Sequence, residues 1–153
     1  MKSLELAIPP PFIMLATALA MWLLSVLLPR FAFAALHNTW AAIVFAAAGI
    51  LFGVAGILAF KRAHTTPDPR TPGAATALVT SGVYRVTRNP MYLGSLLLLI
   101  GWGFYLGNVW SLIFAFAFPV YIQRYQIRPE ERALMEKFGA DYAAYKTKVR
   151  AWL

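Results

Sequence analysis

The chain has 153 residues, 60% of them hydrophobic and only 13% charged, with a formal net charge of +8 and no cysteine. Soluble domains of this size carry roughly 25% charged residues, so much of this surface must face something other than water. Without cysteine, disulfides, thiolate metal sites and cysteine nucleophiles are all excluded.

In chain order, residues 1–10 form a short amphipathic lead-in that runs into Pro9-Pro10-Pro11, a run expected to lie outside any helix. An unbroken apolar block over residues 12–28 predicts a first membrane span, closed by Pro29-Arg30. A loop through His37-Asn38-Thr39 leads to a second span over residues 40–60, rich in Ala and Gly. Gly49, Gly53 and Gly56 place small residues at helical spacing, which predicts close approach of a neighbouring helix. Residues 61–80 are polar and contain Pro67, Pro69 and Pro72, so a loop is expected there.

Pro90 suits a helix first turn and predicts a third span over residues 91–106. Gly107-Asn108 predicts a tight turn into a fourth span over residues 109–122, with a kink at Pro119. Both spans are short for a hydrocarbon core of about 30 Å. Pro129-Glu130-Glu131 reads as a new helix start, with Gly139 ending that helix and Asp141 capping the next. Leu134, Phe138, Tyr142, Tyr145 and Val149 recur every three or four residues, as on one face of an amphipathic tail. The expected fold is all-α and forms one domain over residues 1–153: a multi-pass membrane protein of four transmembrane helices, a short third–fourth hairpin and a cytoplasmic helical tail over residues 123–153.

The basic residues support that topology. Lys2 precedes the first span, Lys61, Arg62, Arg70, Arg85 and Arg88 fall between the second and third, and seven more lie at or beyond the end of the fourth. Only Arg30 falls in the other connections, so the positive-inside rule places both termini and the 61–90 loop in the cytoplasm, with a bacterial inner (plasma) membrane as the expected location. These charges sit where topology puts them and no recognition motif accompanies them, which argues against nucleic acid as a partner. His37 and His64 are expected on opposite sides of the bilayer, unable to share a metal. No ionisable residue lies within a predicted span, unlike the usual ion-coupled transporter.

Polar residues concentrate at the cytoplasmic ends of the third and fourth spans. Tyr84, Arg88, Asn89 and Tyr92 come from one side of the hairpin; Arg124, Gln126, Arg128, Glu130 and Glu131 come from the other. Together they supply carboxylates for a cation or ribose, guanidinium groups for a carboxylate and rings for a base, the needs of a zwitterionic nucleoside cofactor. Taken singly, each has a plainer reading as an interfacial charge, an aromatic-belt residue or a helix start. Their clustering is what marks a site.

Over these residues the chain resembles a known family. LVTSGVYRVTRNPMYLG at residues 78–94, followed by PEERALMEKFGADYAAYKTKVRAWL at the C-terminus, is similar to the isoprenylcysteine carboxyl methyltransferases and their phospholipid methyltransferase relatives. The resemblance covers about residues 65–153. It implies S-adenosylmethionine bound at the cytoplasmic membrane surface by Thr76, Ala77, Leu78, Val79, Tyr84, Arg88, Asn89, Pro90, Met91, Tyr92, Glu130 and Glu131, with no metal. Asn89 stands where the prenylcysteine enzymes have histidine, and Gln126 where their carboxylate-binding arginine falls, so Arg124, Gln126 and Arg128 become the candidates for orienting the acceptor. The implied partners are the bilayer and a lipophilic acceptor: an isoprenylcysteine-type carboxylate, a thiol or a phospholipid. The alternative is a non-catalytic membrane scaffold that keeps the fold.

Overall fold

A computed structural model describes residues 5–65 and 76–153. Lys2, Arg70 and the loop prolines Pro67, Pro69 and Pro72 lie outside the described residues. The described chain is helical: α1 (Pro10–Leu27), α2 (Thr39–Arg62), α3 (Pro90–Leu106), α4 (Val109–Phe114), α5 (Ala117–Ile122) and α6 (Arg128–Lys148). Single turns of 3₁₀-helix occur at Pro29–Phe31 and Gly82–Arg85, and a π turn, Gln123–Ile127, joins α5 to α6.

α1 and α2 are long and apolar enough to cross a membrane, and only 17% of each span window is buried inside the protein. Side chains such as Phe12, Leu19, Trp40, Val44 and Leu51 face outward, as on lipid-facing helices rather than the core helices of a soluble protein. The N-terminal prolines act otherwise than expected. Pro9 is the N-cap, and Pro10 and Pro11 form the first turn of α1, where the missing N–H groups would have no helical partner anyway.

α3 is the central helix. α2 runs along one side of it through two mutually fitted glycine surfaces. A Cβ added to Gly94 would come within 2.6 Å of the Gly49 carbonyl oxygen, and one added to Gly49 within 2.7 Å of the Gly94 oxygen. Gly56 likewise meets Met91 at the start of α3. Gly53 also lies against α3, its backbone nitrogen 3.0 Å from where a Cβ on Gly94 would fall, although a Cβ on Gly53 itself would meet nothing within 4 Å. On the other side of α3, Met21, Leu99, Phe118 and Ile122 build the core with α1 and α5.

The turn between α3 and α4 follows the sequence closely. Gly107 adopts φ +63°, and a side chain there would strike His37. Asn108 accepts the Trp110 and Ser111 N–H groups to cap α4, while its amide donates to the Leu28 carbonyl at 2.9 Å. Ser111 donates to the Met21 carbonyl at 2.6 Å, anchoring α4 on α1. His37 and His64 sit beyond opposite ends of α2.

Two proline effects need correction. The predicted fourth segment is not one helix kinked at Pro119 but two short helices broken at Ala115-Phe116. A proline lacks the N–H owed to the carbonyl four residues earlier, here Ala115, and its ring crowds that carbonyl, so the break falls one turn upstream. Pro129 does lie in the first turn of α6 with Glu130 and Glu131, but the chain enters that helix from the π turn without leaving helical geometry, so no loop separates it from α5. By the same rule Pro129 leaves the Tyr125 carbonyl without a donor four residues on, and the Leu6 N–H supplies one at 3.0 Å. Gly139, expected to end this helix, instead takes φ +50° and kinks α6, which continues to Lys148.

The α2–α3 packing makes a direct prediction. Gly94→Ala forces the two backbones apart and costs roughly 1–3 kcal/mol, whereas Gly53→Ala is tolerated; thermal unfolding of the detergent-solubilised variants compares them.

Candidate functional site

The site is built where the start of α3 approaches α6 and the C-terminal tail. Gly82, at φ +61°, opens a 3₁₀ turn that directs Tyr84 inward. The Tyr84 ring packs edge-on against Phe60 of α2, with centroids 5.5 Å apart, and forms a small core with Ala59 and Val79. Its carbonyl accepts the Tyr145 hydroxyl at 2.6 Å, fixing α6 to this turn. Burial pushes the Tyr84 phenol well above its usual range and Tyr145 up to about 12, so both stay neutral hydroxyls at physiological pH.

Arg88 is the most heavily used side chain in the turn. One terminal nitrogen meets Glu131 at 2.5 Å and the other donates to the Val149 and Lys146 carbonyls. Lys146 closes on the second Glu131 oxygen at 2.7 Å. Burial opposes ionisation of Glu131, but hydrogen bonds from Lys146 and Arg88, together with their charges, outweigh it and hold the carboxyl below its usual range. One turn into α3, the Tyr92 hydroxyl donates to Glu130. Burial is the main influence on Glu130 and raises its carboxyl to about 8, with the Glu131 charge adding to the rise and the Tyr92 bond opposing it. Adjacent glutamates are thus held in opposite protonation states at neutral pH.

Arg88, Tyr92, Glu130 and Glu131 therefore come together as the sequence predicted. Pro90 and Met91 pack where Gly56 of α2 leaves room. Asn89 sits at the N-cap of α3 without capping it and donates instead to the Ala151 carbonyl at 2.9 Å. Thr76 is exposed and bonded to Thr65 and His64, Ala77 and Leu78 are half-buried, and Val79 lies in the Tyr84 core. Arg124 and Arg128 are exposed, Arg124 lying over the Tyr125 ring at 5.7 Å from its centroid. Gln126 is instead fully buried. Beside Glu131 opens a cleft of about 540 Å³ lined by Arg128, Arg132, Met135, Glu136 and Lys146.

Two segments missed in the sequence also complete the site. The C-terminal tail lies along the turn before α3. The Arg150 carbonyl accepts the Arg88 N–H at 2.9 Å, the Ala151 carbonyl accepts Thr87 and Asn89, and Trp152 donates to Gln123 in the π turn at 2.9 Å. At the other end, residues 5–9 form a strap across the π turn. Leu6 bonds Tyr125, the Gln126 amide donates to the Ile8 carbonyl at 2.8 Å, and Glu5 pairs with Arg132. Leu6 holds φ +57°, a left-handed conformation costing a branched residue roughly 1–2 kcal/mol.

These features define a helical membrane protein whose polar chemistry collects where the α3 N-terminus meets α6. The chain belongs to the phospholipid methyltransferase family, whose sequence model matches residues 37–141, about two thirds of its length. An uncharacterized protein of Haemophilus influenzae is 44% identical over 63 residues, covering 41% of this chain and all of that protein. The protein-S-isoprenylcysteine O-methyltransferase of Saccharomyces cerevisiae is 44% identical over 73 residues, covering 47% of this chain and 30% of the yeast protein. No solved structure gives a significant match. Family and named relative both indicate a membrane methyltransferase.

Two predictions follow the geometry. Arg88→Ala leaves Glu131 facing Lys146 alone and unties the C-terminal tail, so unfolding stability falls by roughly 3–5 kcal/mol, the cost of breaking a largely buried pair, as chemical denaturation in detergent measures. The second concerns pH. Folded Glu130 keeps its proton to about pH 8, whereas the usual value is 4.5, so the unfolded chain binds fewer protons between these values and stability falls as pH rises across that window. Glu130→Gln removes this fall, which thermal midpoints from pH 4.5 to 8.5 detect. The Glu131 contribution, of opposite sign, is present above its unfolded value and is lost only as pH drops through its lowered folded value.

Proposed function

We propose that the protein is an S-adenosylmethionine-dependent methyltransferase acting on a lipophilic acceptor at the cytoplasmic face of a bacterial inner membrane. The observation that carries this reading is the pairing of Arg88 with Glu131 and of Tyr92 with Glu130, which joins two motifs about forty residues apart into one site. The donor set fits the cofactor. Buried Arg88 Nε has no partner among the described residues and suits a carboxylate, Glu131 and Glu130 offer oxygens to an ammonium and a ribose, and Tyr84 borders the turn. Thr76 to Val79 and residues 88–92 complete the assigned binding set, with Arg124, Gln126 and Arg128 toward the acceptor.

The cofactor supplies an electrophilic methyl group on a sulfonium, and transfer from it needs neither metal nor covalent enzyme intermediate. This chain's contribution is to position and to exclude water. Holding donor and acceptor in a near-attack geometry yields effective molarities up to about 10⁵–10⁸ M in favourable model systems. Tyr84 and Thr87, buried within the otherwise exposed turn before α3, and the C-terminal tail that accepts Thr87 and Asn89 shield part of that region from water, strengthening the polar contacts made there.

The topology belongs to the same proposal: a single domain over residues 1–153 with four spans and both termini cytoplasmic. α3 rises ~26 Å and the 109–122 segment ~21 Å at 1.5 Å per residue, so the fourth crossing draws on the π turn to approach the ~30 Å core. A scaffold reading gains support from Glu131, both of whose oxygens are already paired, one with Arg88 and one with Lys146. Calorimetric titration of the detergent-solubilised protein with S-adenosylmethionine separates the two. Binding is expected, and Glu130→Gln and Glu131→Gln each weaken it at least about tenfold, ~1.4 kcal/mol. No binding at millimolar cofactor overturns the enzyme reading, and unchanged affinity in both variants overturns the residue assignment.

A further inference from the structure

The cleft of about 540 Å³ beside Glu131 carries an uneven set of charges. Arg128 and Arg132 line it from positions one helical turn apart on α6, and Lys146 reaches it from beyond the Gly139 kink. Glu131 is one carboxylate facing two cations, Lys146 and Arg88. Arg132 pairs with Glu5 of the strap, while Arg128 has no acidic partner among the described residues. Glu136 is the remaining acid of the lining. Four cations thus face three carboxylates, and Glu5 alone among the three comes from outside α6.

Glu5 shows what Arg132 attracts: an anion delivered to the edge of the cleft. The strap that brings it is lightly held. Its inward contacts are the Leu6 N–H on the Tyr125 carbonyl at 3.0 Å and the Ile8 carbonyl on the Gln126 amide at 2.8 Å, and Leu6 is held in a left-handed conformation. The Arg132 side chain is 61% exposed, so its pair with Glu5 lies in water-like dielectric and exchanges readily for another anion. A phosphate is the better occupant. It carries more oxygens than one carboxylate needs, and guanidinium forks match phosphate geometry, so Arg128 and Arg132 can grip it together. Both arginines lie in the first two turns of α6, directly after the proposed fourth span, at the depth where lipid phosphates are found.

We propose that this cleft is a phosphate-binding site, held by Arg128 and Arg132, whose ligand displaces Glu5 and frees the strap. The phosphate belongs either to an anionic lipid headgroup or to a soluble phosphate ester. Because the strap crosses the π turn, occupancy of the cleft is felt by the segment that joins α5 to α6. The site does not rest on the methyltransferase reading, since Glu131 is the only cofactor-assigned residue in its lining.

Hydrogen exchange at residues 5–9 of the full chain in phosphatidylcholine nanodiscs tests this. Glycerol 3-phosphate is added in solution, phosphatidylglycerol is added to the bilayer, and sodium chloride serves as the ionic-strength control. Phosphate is expected to speed exchange of the Leu6 amide about two- to fivefold over chloride, the range set by losing an exposed ion pair. A response to phosphatidylglycerol alone assigns a lipid headgroup, and a response to glycerol 3-phosphate assigns a soluble ester. Arg128→Gln, which alters no strap contact, raises the phosphate needed for half the effect about tenfold. Glu5→Gln exchanges fast from the outset and ignores phosphate, whereas Glu136→Gln, which removes the same charge from the cleft, still responds. Exchange no faster with either phosphate than with chloride, an unaltered response in Arg128→Gln, or a Glu5→Gln strap that still responds overturns the proposal.

Discussion

The guanidinium of Arg88 is the joint on which the polar half of this protein depends. It stands at the mouth of α3, reaches Glu131 in the first turn of α6, and donates to carbonyls at the end of α6 and just beyond it. Three stretches of chain far apart in sequence are held by one planar group with five donors in a fixed fork, a geometry no lysine reproduces. The same pairing sets the electrostatics around it. Glu131 is kept ionised by Arg88 and Lys146, while Glu130, one residue away and turned toward Tyr92, is paired with no cation among the described residues. A protonated and an ionised carboxyl side by side give the site both a donor and an acceptor at neutral pH.

Behind this joint the membrane portion supplies rigidity by steric means. Gly49 and Gly94 let the backbones of α2 and α3 touch, which fixes the height of Met91 and Tyr92 relative to Tyr84 and Phe60. Two prolines then shape the return segment. Pro119 breaks the helix a turn upstream, and Pro129 strips a carbonyl of its donor, which the strap restores. Between them lies the π turn, which directs Gln123 to the C-terminal tail and Gln126 to the N-terminal strap. The 5–9 strap and the C-terminal tail are thereby fastened to one irregular turn beside the site.

Much of this was legible in the residues. The apolar blocks marked α1, α2 and α3 to within two residues, Gly107-Asn108 marked the tight turn, and Gly139 the point where α6 kinks, though not its end. The stripe from Leu134 to Val149 faces inward as its spacing implied, with Tyr142 and Tyr145 buried. Clustering of Tyr92, Arg88, Glu130 and Glu131 followed from the hairpin that brings their segments together. Less legible were the prolines, whose effect depends on which carbonyl each leaves unpaired and on what else can reach it. Gly53 shows a similar limit, since its spacing matches Gly49 and Gly56 but a side chain added there would meet nothing within 4 Å.

The sequence by itself determined the class of solvent, the order and ends of the long helices, and the residues that gather where the start of α3 meets α6, because hydropathy, proline and glycine act locally. Tertiary structure alone decided which carboxyl pairs with which cation, that Gln126 is buried while Arg124 and Arg128 are not, and that the 5–9 strap and the C-terminal tail lie across the site. The reason is physical. The strap and the tail are held largely through backbone N–H and carbonyl groups at Leu6, Ile8, Val149, Arg150 and Ala151. Nearly every residue carries such groups, so they leave no mark in the sequence until folding brings their partners within reach.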